Sequence, residues 1–279
     1  MKKTIQELTD IASQVRRDIV RMVTAAKSGH PGGSMSSTDI LTALFFNEME
    51  QDPATWTRDA KGQDAFILSA GHLAPVYYSI LARAGYFDPA KMATLRKFGS
   101  DLQGHPTVGH IKGIFQPSGS LGQGLSAAAG IALGKKLSGE GHRAFVLCGD
   151  GESEEGQIWE AAMFAVHHKL DNLVAMTDWN GMQIDGPTTT VTALEELNEK
   201  WLAFGWDVIV ADGHDFESIL NAFQIARKQD GKPKMILFKT EMGHGVDFMA
   251  GSHTWHGKAP SEEQCAQALE QLKETLGDY

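Results

Sequence analysis

Apolar positions alternate along this chain between helical spacing and short unbroken runs. Ile5, Leu8, Ile11, Ala12, Val15, Ile19, Met22 and Val23 recur at helical spacing. Thr4 with Glu7 three residues on has the form of a capping box, so the chain opens with an amphipathic helix running to Lys27. Gly29, Pro31, Gly32 and Gly33 read as its stop. A second helix is predicted over Ser37 to Asn47, then an Asp-Pro loop, a strand over Ala65 to Ser69, and helices over Leu73 to Ala84 and Asp88 to Phe98. The Gly-rich stretch from Gly99 to Gly119 carries no periodicity, and a loop that long inside a compact domain usually serves a function.

Beyond it, Leu121 to Leu137 reads as helix, Ala144 to Cys148 as a buried strand, and Glu155 to Lys169 as a helix with Ile158, Trp159, Ala162, Met163 and Val166 on one side. Strand follows at Leu173 to Met176, helix near Leu194 to Phe204, strand at Trp206 to Ala211, helix at Phe216 to Arg227 and strand at Met235 to Lys239. A polar loop, Glu241 to Pro260, leads to a closing helix from Ser261. This alternation predicts an α/β fold: a mostly parallel sheet with helices on both faces. No linker, internal repeat or low-complexity tract divides it.

Composition narrows the setting. At 279 residues, 42% of them hydrophobic and 22% charged, the chain can bury a substantial core, and no apolar run approaches the roughly 20 residues that span a bilayer. The start from Met1 to Ala12 lacks a secretory apolar segment, so a cytoplasmic setting is expected. Thirty-five acidic against 25 basic side chains give a net charge of −10 with the cations scattered, which argues against a nucleic-acid or anionic membrane partner. Cys148 and Cys265 read as reduced packing residues.

Against that background, Gly149-Asp150-Gly151 at a strand end, followed one helix and strand later by Asp178-Trp179-Asn180, has the form of half a diphosphate-bound Mg2+ site. Mg2+ takes a few protein oxygens, here Asp150 and the Asn180 side chain, alongside phosphate and water. The flanking glycines let backbone approach a phosphate closely. A tight turn and an ordinary turn asparagine would give the same letters. The loop that follows, Asn180 to Gly186, adds a backbone carbonyl near Met182 as a third ligand.

Histidines sit in four Gly-flanked loops, at His30, His72, His105 and the pair His253 and His256. One such histidine is usually a solvated residue or a cap, whereas four loops together suggest a shared polar pocket. Zinc at His253 and His256 lacks a supporting cysteine or carboxylate framework. His142 and His214 fall in turns, His167 and His168 end a helix, and His110 and His244 are left undecided.

Seven segments in order, SGHPGG at 28–33, FILSAGH at 66–72, GHP at 104–106, SGSLGQG at 118–124, GDGESEEG at 149–156, DWNGMQIDG at 178–186 and SHTWHG at 252–257, resemble the transketolase family across nearly the whole chain. The resemblance implies the thiamine diphosphate-binding fold, with residues 1–279 forming a single diphosphate-binding (PP-type) domain and the pyrimidine-binding and C-terminal domains absent. It implies Mg2+, with Ca2+ or Mn2+ as substitutes, on Asp150, Asn180 and the Met182 carbonyl. His72, Gly149, Gly151 and His256 would lie by the diphosphate, and Gly119 and Leu121 by the aminopyrimidine. His30, His105 and His256 would handle hydroxyl and carbonyl protons of the sugar. Glu155 and Glu160 match acidic residues near the cofactor and across a subunit interface, although first-turn helix carboxylates look the same.

The family's activity is transfer of a two-carbon ketol unit from a ketose, phosphorylated in many cases, to an aldose. The missing pyrimidine domain implies a split enzyme: this chain paired with a separately encoded C-terminal transketolase subunit, in an α2β2 assembly. A non-catalytic cofactor-binding or regulatory subunit is the alternative of another class. A deoxyxylulose-phosphate-type synthase or a 2-oxo acid dehydrogenase alpha chain would share the cofactor. Thr107 and Ser120 depart from the family's usual Glu and Pro, and Asp178-Trp179-Asn180 from its acidic-acidic-Asn form.

Overall fold

The computed structural model describes residues 2–194 and 196–279; Met1, and residue 195 within the helix predicted near 194–204, lie outside the described residues. Five parallel strands form the sheet: β1 (Ala65–Leu68), β2 (Ala144–Gly149), β3 (Leu173–Trp179), β6 (Asp207–Asp212) and β7 (Lys234–Lys239), in the order β1-β2-β3-β7-β6. β4 (Met182–Gln183) and β5 (Gly186–Pro187) make a small antiparallel ladder beside it.

The helices are α1 (Ile5–Ala26), α2 (Pro31–Ser36), α3 (Thr38–Ala43), α4 (Ala74–Arg83), α5 (Gln123–Leu137), α6 (Gly156–His167), α7 (Thr188–Val191), α8 (Leu197–Ala203), α9 (Phe216–Ala226) and α10 (Glu262–Gln271). Strand alternation sorts the core into two layers. Phe66, Leu68, Phe145, Leu147, Val174, Met176, Ile236 and Phe238 pack with α1, α3, α4 and α9. Their neighbours Ala65, Ile67, Ala144, Val146, Cys148, Leu173, Ala175, Met235 and Leu237 pack with α5, α6 and Trp201 of α8. β1, β2, β3 and β7 are therefore covered on both faces, which is why their sequences read as apolar runs, whereas the edge strand β6 leaves Val210 exposed. Among the described residues no helix is long and apolar enough to cross a membrane.

The chain winds β1, β2, β3 in one direction, jumps to the edge as β6 and returns as β7 beside β3. A reversal of winding opens a crevice at the carboxyl ends of the strands. β2 ends at Gly149, next to Asp178 of β3, which in turn pairs with Phe238 of β7.

Several local expectations change. The Thr4–Glu7 capping box is present and α1 ends in a left-handed Lys27, as its pattern predicts. Pro31, Gly32 and Gly33, read as breakers, instead form the first turn of α2, where Pro31 suits the opening position. The glycines are needed for contact: a Cβ on Gly32 would come within 2.8 Å of Met242, and one on Gly33 within 2.6 Å of Leu73. Helix over Ser37 to Asn47 breaks into α3 and a wide turn, Leu44–Glu48. The helix predicted for Asp88 to Phe98 is a 3-10 segment, Pro89–Thr94. β3 extends past Met176 to Trp179, so Asp178 belongs to the strand.

Candidate active site

The crevice holds a cleft of 330 Å3, lined on its floor by Asp150, Glu152 and Asp178 and on its walls by His30, His72 and His256. Asp150, 2% exposed, accepts from the N–H of Gly151 at 2.8 Å and of Gly181 at 2.6 Å. Burial first, and then the neighbouring Asp178 carboxylate, push its pKa up to about 8. Asp178 accepts from Ser36 Oγ at 2.6 Å, from Thr240 Oγ1 and from Asn180 Nδ2 at 3.0 Å, and burial raises it as well. The Asn180 side-chain oxygen accepts from Met182 N–H at 2.9 Å.

Glu152 ties three loops together. Its carboxylate accepts from Ser69 Oγ, from Gly122 N–H at 2.8 Å and from Gly149 N–H at 3.0 Å. Ser69 Oγ in turn accepts from Gly124 N–H at 3.1 Å. Gly122 is left-handed, with φ of 81°, at the cap of α5. No cationic side chain among the described residues forms an ion pair with Asp150, Glu152 or Asp178; hydroxyls, an amide and backbone N–H groups serve them. Three buried acids without a counter-charge form a donor set suited to a hard divalent cation.

Above them the imidazoles gather. Ring centres of His30 lie 5.3 Å from His72, 5.7 Å from His256 and 6.2 Å from His105, and His72 lies 4.9 Å from His256. Burial, and after it the neighbouring His256, hold His30 down to about 4; the same two causes hold His72 down to about 3. Burial lowers His105 and His256 too. All four are thus neutral near pH 7. Nδ1 of His30 and of His256 is buried with no partner among the described residues, so each has unused hydrogen-bonding capacity there.

The match to the family model described as "Transketolase, thiamine diphosphate binding domain" runs over residues 8–277. The chain belongs to the transketolase family. A transketolase subunit of Clostridium sp. (strain MSTE9), named 6-deoxy-6-sulfo-D-fructose transketolase subunit SqwG, is 40% identical, with 96% of each chain covered. One subunit of the apulose-4-phosphate transketolase of Phocaeicola vulgatus is 39% identical over 94% of this chain and 92% of its own. The transketolase of Leishmania mexicana superposes with a TM-score of 0.90 at 29% identity; it covers all of this chain, which spans 43% of that one. These matches bear out the family, the fold and the expectation of an N-terminal, thiamine diphosphate-binding subunit of a transketolase.

Of the residues that the transketolase resemblance singles out, His30, His72, Gly119, Leu121, Gly149, Asp150, Gly151, Glu155, Asn180, Met182 and His256 line the one cleft. His105 stands just behind, and a Cβ on Gly119 would come within 3.3 Å of its ring. Gly151 has its own steric reason, since a Cβ there would meet Gln183 at 2.8 Å. Glu160 is not among the lining residues and is exposed on α6. Glu155 is exposed at the rim. Glu152 and Asp178 were missed as site residues, because most of their partners, Ser69 and Gly122 for the first and Ser36 and Thr240 for the second, are remote in sequence. Only the Glu at the third place after the first Gly of GDGESEEG, next to an expected metal ligand, hinted at the first.

Thr107 is half-buried, its hydroxyl without a partner among the described residues, and Ser120 is exposed. Burial pushes the Cys148 thiol well up, which suits packing and not nucleophilic chemistry.

Proposed function

We propose that this chain is the diphosphate-binding subunit of a two-subunit transketolase, transferring a two-carbon ketol unit between sugars, phosphorylated ones among them, together with a separately encoded C-terminal subunit. The observation that carries the reading is the buried, uncompensated acid floor of Asp150 and Asp178 at the ends of β2 and β3, in a chain of subunit length. Asp150, the Asn180 oxygen and the Met182 carbonyl would hold Mg2+, with Ca2+ or Mn2+ able to replace it. Such an ion supplies the charge that the floor lacks.

His72, His256 and the glycine-flanked backbone at Gly149 and Gly151 would face the diphosphate, and Gly119 and Leu121 the aminopyrimidine side. Bound thiamine diphosphate supplies a nucleophilic carbon and an electron sink for breaking and making the carbon–carbon bond. The chain's own residues do the rest of its share. Neutral His30, His105 and His256 can donate or accept protons at sugar hydroxyl and carbonyl oxygens near pH 7. The unpartnered Nδ1 atoms of His30 and His256 are where such groups would bond. Glu155, at the cleft rim, and Glu160, exposed on α6, are assigned to the cofactor's surroundings and to a subunit interface of an α2β2 assembly in the cytosol.

The purified chain is expected to bind thiamine diphosphate with Mg2+ in calorimetry yet show no ketol transfer in a coupled assay. Addition of the separately encoded subunit that carries the pyrimidine-binding domain restores it. Full activity of the chain alone would refute the split assembly.

A further inference from the structure

One polar cluster stands apart from the cleft. Arg16 of α1 and Asp39 of α3 form a buried bidentate pair, with Nη1 to Oδ1 at 3.0 Å and Nη2 to Oδ2 at 2.5 Å. The Nδ1 of His214, in the turn after β6, lies 2.9 Å from the same Asp39 Oδ2. Its other nitrogen, Nε2, receives the backbone N–H of Glu241 at 2.9 Å. A backbone N–H can only donate, so Nε2 must accept, and the ring's single proton sits on Nδ1 and points at Asp39.

What this ring holds matters for the site. Glu241 sits in the segment 240–243, which reaches the cleft from three sides. Thr240 Oγ1 donates to Asp178. Met242 lines the cleft and would meet a Cβ on Gly32 at 2.8 Å. Gly243 N–H donates to Gly32 O at 3.0 Å, beside His30. We infer that His214 is a positioning residue: fixed by Asp39 as its Nδ1–H tautomer, it anchors the Glu241 N–H and so the 240–243 wall of the cofactor cleft.

Asp39, His214 and His244 could also be read as a metal site, since their ligand atoms lie within 4.8 Å of one another. The partners argue otherwise. Both His214 nitrogens are occupied, and the Arg16 guanidinium already sits on the carboxylate oxygen that a metal would need. His244 stacks flat on His214, with centres 3.6 Å apart and planes 11° apart, and braces the ring's orientation.

The cofactor readout rests on the transketolase reading; two other readouts do not. In nitrogen-labelled wild-type chain, the His214 ring shifts should report the Nδ1–H tautomer near neutral pH. Hydrogen exchange of the Glu241 amide should be slow, and should rise about tenfold or more in His214→Phe and His214→Asn, as losing one buried hydrogen bond implies. His214→Gln keeps an acceptor near the Nε2 position and should stay within about threefold of wild type. Thiamine diphosphate affinity with Mg2+, by calorimetry, should follow the same order, with about tenfold loss in the first two.

The inference is overturned by an Nε2–H tautomer or imidazolium in the wild type, by unchanged exchange at 240–243 in the folded His214→Asn chain, or by stoichiometric Zn2+ uptake that His214→Phe abolishes. Should His214→Phe fail to fold, the wild-type tautomer and the two amide variants still decide. A wild-type chain that binds no cofactor would sink the transketolase reading alone, and the tautomer and exchange would still judge His214.

Discussion

The two ends of the parallel sheet treat buried acids in opposite ways. At the amino ends of the strands, Glu48 is almost fully buried, and Arg143 and Arg227 reach its two oxygens at 2.7 and 2.5 Å. Asp64 beside it accepts from the backbone N–H of Arg143 and of Glu50. Asp18 of α1 and Asp39 of α3 likewise carry Arg83 and Arg16. At the carboxyl ends, Asp150, Glu152 and Asp178 are as deeply buried and, among the described residues, have only neutral donors. The first set is electrically complete within the chain, and the second is complete only with a cation. A fold that can pair its buried acids with arginine, and does so on α1, on α3 and at the far end of the sheet, has left this floor for a ligand.

The largest effects are expected from a charge-removing swap at each end. Asp150→Asn should weaken Mg2+-dependent thiamine diphosphate binding about 100-fold or more, since a metal ligand and a charge are lost together. Unliganded, that variant should lose no more than about 1–3 kcal/mol, the cost of turning an NH2 toward the Gly151 or Gly181 N–H, because no buried cation is stranded. Glu48→Gln should do the reverse, costing about 3 kcal/mol or more of stability by stranding Arg143, with cofactor affinity little changed. Calorimetric titration and urea unfolding of both variants check this. Equal stability losses at the two ends would erase the distinction.

A pH series separates the two ends without mutation. Asp150 titrates at about 8 folded and near 3.8 unfolded, so between those values the folded state holds the extra proton and the ligand-free chain loses stability as pH rises. Asp178 and Glu152 are shifted the same way. The histidines act oppositely: His30 at about 4 and His72 at about 3, against 6.5 unfolded, lose stability as pH falls below about 6.5. Above 6.5 only the acids remain. Stability of the free chain should therefore fall from pH 6.5 to 8, by about 2 kcal/mol at most for one such proton, and Mg2+ with thiamine diphosphate should flatten the fall. Urea midpoints that rise across this window in the free chain would contradict the acid floor.

How much of this was legible follows from where each feature's causes lie. α1 and its cap were readable because Thr4 and Glu7 satisfy each other within one turn. The strand ending at Gly149 was readable because burial on both faces leaves an unbroken apolar run. The cleft's outline came from ordered motifs, not from any one letter. Gly32 and Gly33 misled because their local signal is a break, while the need they serve is contact with Met242 and Leu73, 40 residues away and more. His214 read as a turn histidine because Asp39 and Glu241 are remote in sequence and adjacent only in the fold.

Glu152 belongs to that last group and gives the finest test. Unlike Asp150 it is not assigned to the metal, and unlike Glu48 it has no arginine. Its work is to hold Gly122 N–H, Gly149 N–H and the Ser69 hydroxyl together, and so to set the spacing of three of the seven motif loops. In Glu152→Gln the amide keeps one oxygen and must turn an NH2 toward a donor, leaving a buried N–H unpaired. The cost should be about 1–3 kcal/mol in unfolding free energy. Cofactor affinity should fall less than in Asp150→Asn, by about tenfold, because the loops shift and no ligand is lost. Ser69→Ala removes only the hydroxyl and should sit below both. A Glu152→Gln chain as poor in cofactor binding as Asp150→Asn would instead place this carboxylate on the cation itself, and the acid floor would then have two metal-binding members.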